Sequence, residues 1–379
     1  MRTRLRLALS LFALCSASAA RADAPPLSPL PPQRLEVPYP TRGWARGDAK
    51  LADHIALEVA LGKLFAAKSA AGVNDTRAVA VIQGGRLVIE RYALGFDAST
   101  RFRSWSAGKS VVNAWVGILV RDGRVSLDEP LDAREWRAQR DDPRRAITVR
   151  NALHMTTGLD NEDGEQGPSS FGAQLLFGNL SGDSALAAAD VALAHEPGTH
   201  WAYSTGTTQL LARLVKERAG GDVREFVARE LTEPLGMQSF VAELDRAGTP
   251  FGGAFVWASA QDWARLGLLY LRDGLWEGRR ILPPGWVDFS RTPASAPNNG
   301  NYGAHFWINA APGPEQHPGL DASIESFEMN GSAGQMVVIV PARDLVVVRL
   351  GELHASDWTT LRGNVSELIE AFPPIRGAR

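Results

Sequence analysis

One cysteine and five lysines are all that the 379-residue chain contains of those two residue types. A single cysteine excludes a disulfide framework and any multi-cysteine metal site. No basic block occurs and the formal net charge is −2, which argues against nucleic acid as a partner. Beyond the first residues no apolar run is long enough for a membrane span, so the mature chain carries no integral membrane segment. The seven histidines form no ligand cluster. His195-Glu196 and His200 are spaced one residue too far for a zinc helix, and Pro197-Gly198 breaks the helix between them. The shortage of lysine is not a shortage of positive charge, because arginine takes the other 35 of the 40 basic positions.

What is present is a globular composition, 45% hydrophobic and 22% charged, with length for two or three domains or one fold with an insertion. Arg2, Arg4 and Arg6 precede the apolar run Leu7–Leu14, and small residues follow to Ala20-Arg21-Ala22. That order reads as a secretory signal peptide over residues 1–22, cleaved after Ala22, which places the mature protein in the periplasm or outside the cell. Leu14 before Cys15 disfavours a lipoprotein. Losing the four arginines of residues 1–22 moves the formal charge from −2 to −6 and removes the only cysteine. Residues 23–47 read as an extended linker, with seven prolines between 23 and 40.

Apolar spacing over Asp48–Ala70 predicts a helix, and Ala78–Gln83 and Arg86–Tyr92 around Gly84-Gly85 predict a hairpin. Helical patterns run from about Ser106 to Glu243 and again over Ala260–Arg272. Strand-like runs follow at Tyr302–Asn309, Gln335–Val340 and Leu345–Leu350, then a helix over Ser356–Ala371. The order predicts an α+β fold. An antiparallel sheet built from residues 48–97 and 250–379 is flanked by terminal helices, and residues 98–249 form a helical insert.

Ser106-Ala107-Gly108-Lys109 opens an apolar helix. Serine and lysine at i and i+3 share one helix face. A serine hydroxyl needs a base to take its proton, and lysine can serve once its pKa falls, whereas arginine cannot. In a chain that prefers arginine so heavily, lysine at 109 is a selective choice. A phosphate loop ending at Gly108-Lys109-Ser110 is excluded, because Arg103 stands where that motif needs glycine. Tyr203, in Tyr203-Ser204-Thr205 before a helix, is suited to relay protons. Met329-Asn330-Gly331-Ser332 enters a strand and offers a backbone edge to a substrate. Trp105 and Trp201 are candidates for an acyl pocket or for core packing. Asp160, Glu162, Asp163 and Glu165 read as a solvated acidic loop.

The order S-x-x-K, Y-x-T and a Gly-rich strand entry resembles the serine β-lactamase and penicillin-binding-protein superfamily. The closer likeness is to its class C-like esterase branch, which includes 6-aminohexanoate-dimer hydrolases. It covers about residues 75–352 through Arg103–Ser110, Ile147–Leu159, Glu196–Ser204, Glu233–Met237, Trp257–Leu266 and Gly334–Leu345. The resemblance implies that Ser106 is acylated, Lys109 is its base and Tyr203 assists proton transfer. It also implies an oxyanion hole at the N–H groups of Ser106 and Ser332, and no metal or organic cofactor. Trp105, Thr205, Asn330 and Gly331 are the expected substrate contacts, with Thr205 reaching a substrate carbonyl in place of the commoner asparagine. Met329-Asn330-Gly331 lacks the cation of Lys-Thr-Gly, which favours small-molecule esters or linear amides over β-lactams. A β-lactamase or D,D-peptidase, and a non-catalytic binding protein on the same scaffold, remain the alternatives.

Overall fold

The computed structural model describes residues 27–49, 52–66, 75–163, 167–294, 296, 301–309, 319–321, 323–353 and 357–374. The leader, Cys15 and Glu165 lie outside them, as does the far end of the helix expected to reach Ala70.

Six strands form one antiparallel sheet: β1 (Asp75–Gln83), β2 (Arg86–Tyr92), β3 (Trp307–Ile308), β4 (Phe327–Gly331), β5 (Gln335–Val340) and β6 (Leu345–Glu352). Their order is β2-β1-β6-β5-β4-β3, so an early and a late segment of the chain meet where Ala80 faces Val348. Gly84 and Gly85 both take positive φ (58° and 77°), the conformation a two-residue hairpin turn requires.

Both faces of the sheet are covered, and the alternation of strand side chains sorts them. Val79, Val81, Met336, Val338 and Val347 pack against α1 (His54–Phe65) and residues of a helix near the C-terminus, Trp358–Glu370. On the opposite face Ala80, Ile82, Val337, Ile339, Val346 and Val348 join one core with α2 (Gly108–Arg121), α3 (Thr205–Arg218) and α4 (Ala260–Leu271). The C-terminal helix is α5. No helix among the described residues is long and apolar enough to cross a membrane.

The stretch between α2 and α3 differs from its helical reading. Among its described residues are three short α-helices, Val149–Leu153, Phe171–Phe177 and Ser184–Ala189, and two 3-10 helices, Arg134–Ala138 and Pro143–Ala146, separated by turns and loops. Pro130, Pro143, Pro168 and Pro197 interrupt any longer helix. Of Tyr302–Asn309 only Trp307–Ile308 pairs as a strand. Residues 27–49, expected as an extended linker, make turns at Arg34–Val37 and Pro40–Gly43 and lie on the body rather than leading away from it. Arg265 donates to Pro40 O, Arg272 to Pro31 O and Gln33 Oε1, and Arg291 to Ser28 O.

Candidate active site

The approach to Ser106 is fixed before the serine is reached. The short strand Phe102–Arg103 pairs with Trp257–Ala258. Ser104 is buried; its N–H donates to Val256 O (2.7 Å) and its hydroxyl to Ala254 O (3.1 Å). Ser106 then occupies a 3-10 turn, Trp105–Ala107, that runs directly into α2. Trp105 takes a left-handed φ of 45°, a backbone state costing about 1–3 kcal/mol. The Arg103 guanidinium 3.6 Å above its indole and the edge of Phe177 at 6.1 Å hold it there.

Strand β4 presses on this turn. A Cβ on Gly331 would stand 2.1 Å from Ser104 O and 3.1 Å from Ala107 N. Gly331 was expected to contact substrate; instead the structure buries it against the backbone of the serine turn. Its neighbours Asn330 and Ser332 do reach the cavity.

Lys109 lies one helical turn after Ser106 and is 1% exposed. Its Nζ is 3.1 Å from Ser106 Oγ, 2.9 Å from Thr205 Oγ1 and 3.4 Å from Gly253 O. Burial lowers its pKa from 10.5 to about 8, with the Asp163 carboxylate pulling the other way. The Tyr203 ring lies 4.7 Å from Nζ. Burial raises the Tyr203 pKa, while hydrogen bonds with the Ser106 and Trp307 side chains oppose that rise. Ser106, Lys109, Tyr203 and Thr205 therefore meet at one point, from α2, α3 and the segment before α3.

Two expectations change here. Thr205 Oγ1 lies 2.7 Å from Asp163 Oδ2, and its backbone N–H donates to Asp163 Oδ1 at 2.8 Å. A carboxylate only accepts, so the one hydroxyl proton of Thr205 goes to Asp163 and none remains for a substrate carbonyl. Asp163, read as part of a solvated loop, is half-buried and lines the cavity; Asp160 and Glu162 are exposed as expected. Trp201 does not line the cavity. It packs with Tyr203, Tyr302 and Trp307 at centroid distances of 5.8–6.3 Å. Trp307 and Tyr302, which back the Tyr203 ring, carried no signal in the sequence beyond their aromaticity.

The cavity in front of Ser106 encloses about 480 Å³. Trp105, Leu176 and Phe177 supply apolar wall, and Asn330, Ser332 and Trp358 contribute from β4, the turn after it and α5. That turn, Ser332–Gly334, is braced from behind. The fully buried Arg349 donates to Ala333 O (3.2 Å), Gly334 O (2.9 Å) and Thr76 Oγ1 (3.0 Å). Burial brings the Arg349 pKa down to about 9. Elsewhere, the His195 and His200 rings stack at 4.0 Å, and no group of three or more His, Cys, Asp or Glu able to hold a metal occurs among the described residues.

Comparisons with known proteins identify the fold and the family. The chain is 26% identical over 319 residues to a 6-aminohexanoate-dimer hydrolase of Paenarthrobacter ureafaciens, covering 76% of each. Among solved structures it resembles a penicillin-binding protein homologue from Caulobacter crescentus, with TM-score 0.61 and 18% identity over 86% of this chain and 99% of that one. It also resembles a β-lactamase from Mycobacterium bovis, with TM-score 0.58 and 20% identity over 84% of this chain and 100% of that one. A family model for beta-lactamases matches residues 61–359. The antiparallel sheet, the helices on both its faces and the match over most of the length agree: the chain belongs to the beta-lactamase family.

Proposed function

We propose that this protein is an exported serine hydrolase that cleaves carboxylic esters or linear amides through an acyl-enzyme on Ser106. One observation carries the reading: the only amine within reach of Ser106 Oγ among the described residues is buried and has its pKa brought down toward neutrality. Neutral Lys109 takes the Ser106 proton as Oγ attacks the substrate carbonyl carbon. The carbonyl π electrons move onto oxygen, and the N–H groups of Ser106 and Ser332 receive that oxyanion. Collapse expels the alcohol or amine, which is protonated through Tyr203. Water, activated by the same groups in reverse, then releases the acid. No cofactor enters these steps.

The cavity argues against anionic substrates. Its described lining includes the Asp163 carboxylate and no arginine or lysine. A β-lactam carboxylate would have no charge-assisted partner on it. The relative named for 6-aminohexanoate-dimer hydrolysis favours linear amides alongside esters. The test is hydrolysis of p-nitrophenyl acetate and butyrate by wild type and Ser106→Ala, with mass spectrometry for an acyl group on Ser106. Equal rates for the two proteins would refute the nucleophile. Stable labelling by a fluorescent penicillin, without ester turnover, would instead favour the peptidase alternative. A mature N-terminus at Asp23 in secreted material would support export.

A further inference from the structure

The hydrogen-bonding groups on either side of Ser106 form one connected row. The Trp307 indole and the Ser106 side chain are both bonded to the Tyr203 hydroxyl. Ser106 Oγ is bonded to Lys109 Nζ, Nζ to Thr205 Oγ1, and Thr205 Oγ1 to Asp163 Oδ2. The two ends of this row have fixed roles. An indole N–H can only donate and a carboxylate can only accept. Each hydroxyl in between has a single proton. Trp307 donates to the Tyr203 oxygen, which keeps a second lone pair and its own proton, so the direction of the Tyr203–Ser106 bond is set at Ser106 and not by the indole. At the other end the Thr205 proton is held by Asp163, so Thr205 can only accept from Nζ.

The amine then has one arrangement left. Neutral lysine offers two N–H groups and one lone pair. Thr205 Oγ1 and the Gly253 carbonyl are both acceptors, and they take the two N–H groups. The lone pair is left facing the Ser106 hydroxyl. We infer that Asp163 is a positioning residue that acts through Thr205 to fix how the Lys109 amine is oriented, so that the Ser106 proton points at the Lys109 lone pair. This inference rests on the serine-hydrolase reading and adds what orients its base. If Thr205 instead donated to Nζ, the lone pair would be occupied and the serine would have no base.

The titratable surroundings of Nζ are few. Asp163 faces it through Thr205, Tyr203 lies across its ring face, and His305 beneath α2 is held neutral by burial, its pKa brought down to about 3. Asp163 is the one anion in this group, and its removal lowers the pKa of Lys109 while freeing the Thr205 proton.

The experiment uses the full mature chain and two readouts. Because the chain has five lysines, ¹³C labelling of the lysine ε-carbons lets the Lys109 titration be followed by NMR, assigned by its loss in Lys109→Arg. Asp163→Asn is expected to lower kcat by roughly tenfold or more at pH 8, with KM within about twofold, and to move the Lys109 midpoint downward. Thr205→Val is expected to lose activity to a similar degree, and Thr205→Ser, which keeps the hydroxyl, to recover most of it. Thermal melts confirm that each variant is folded. Asp163→Asn with wild-type kcat, or with reduced kcat and an unmoved Lys109 midpoint, overturns the inference. So does Thr205→Val at the wild-type rate. Ser106→Ala read alongside separates the two levels, since undiminished hydrolysis there refutes the serine reading itself, whatever Lys109 does.

Discussion

Moving the pH across the Lys109 titration is the most direct probe of the proposed base. With a pKa of about 8, roughly a tenth of Lys109 is neutral at pH 7 and roughly nine tenths at pH 9. At the ordinary lysine value of 10.5, roughly one molecule in three thousand would hold a neutral amine at pH 7, so burial enlarges the reactive population by roughly three hundredfold. The kcat/KM for p-nitrophenyl butyrate reports the free enzyme. It is expected to rise about tenfold per pH unit between 6 and 7, bend near 8 and level off by about 9. The Ser106→Ala protein supplies the blank at every pH, which removes alkaline hydrolysis of the ester. Lys109→Arg fixes a charge that does not dissociate and is expected to abolish the rise along with turnover. A profile flat from pH 6 to 9 would refute the reasoning, as would a midpoint near 10.5 or an active Lys109→Arg enzyme.

Three other outcomes follow from the packing around this centre. Gly331→Ala places a methyl group 2.1 Å from Ser104 O; it is expected to cost about 1–3 kcal/mol of stability and to reduce kcat by displacing the serine turn, read by thermal melting and ester turnover. Arg349→Met leaves the Ala333 and Gly334 carbonyls without this donor; destabilisation by about 1–3 kcal/mol is expected, with kcat falling more than KM rises. Burial brings His305 down to about 3 and His154 to about 4. Both folded values lie below the ordinary 6.5, so on acidification the unfolded chain takes up these protons first. Stability is therefore complete above about pH 6.5 and falls as pH drops through that value, by up to about 1.4 kcal/mol per unit for each ring. Equal urea midpoints at pH 7 and pH 5 would contradict this.

Much of the fold was legible where local pattern and tertiary demand coincide. The Gly84-Gly85 hairpin, Gln335–Val340 and Ser106-x-x-Lys109 at the head of a helix stand where the sequence put them. Strand β4 was not recognised as a strand. Glu328 and Asn330 interrupt its apolar run, and they are tolerated in the interior because Glu328 pairs with Arg362 and Asn330 donates to Glu328. Tyr302–Asn309 reads as a strand from its aromatics, yet His305 takes a φ of 60° and those rings serve a cluster behind Tyr203. Asp163 was invisible for a different reason. Nothing local separates it from Asp160 and Glu162; only the fold brings Thr205 to its carboxylate. The sequence could mark the proposed nucleophile and base, because their spacing is helical. The groups that orient them come from distant segments.

The pairing of β1 with β6 has a consequence for the order of events during synthesis. Ser106 and Lys109 leave the ribosome early, but the sheet beneath them cannot close until the segment ending at Glu352 has followed. Contacts of such wide sequence separation slow folding, because loop closure precedes the contacts that stabilise it. A nascent or truncated chain lacking β6 thus has the proposed nucleophile without the burial that tunes its lysine. On the proposed mechanism, competence arrives only with β6, and a chain ending before Leu345 should be both unfolded and inert.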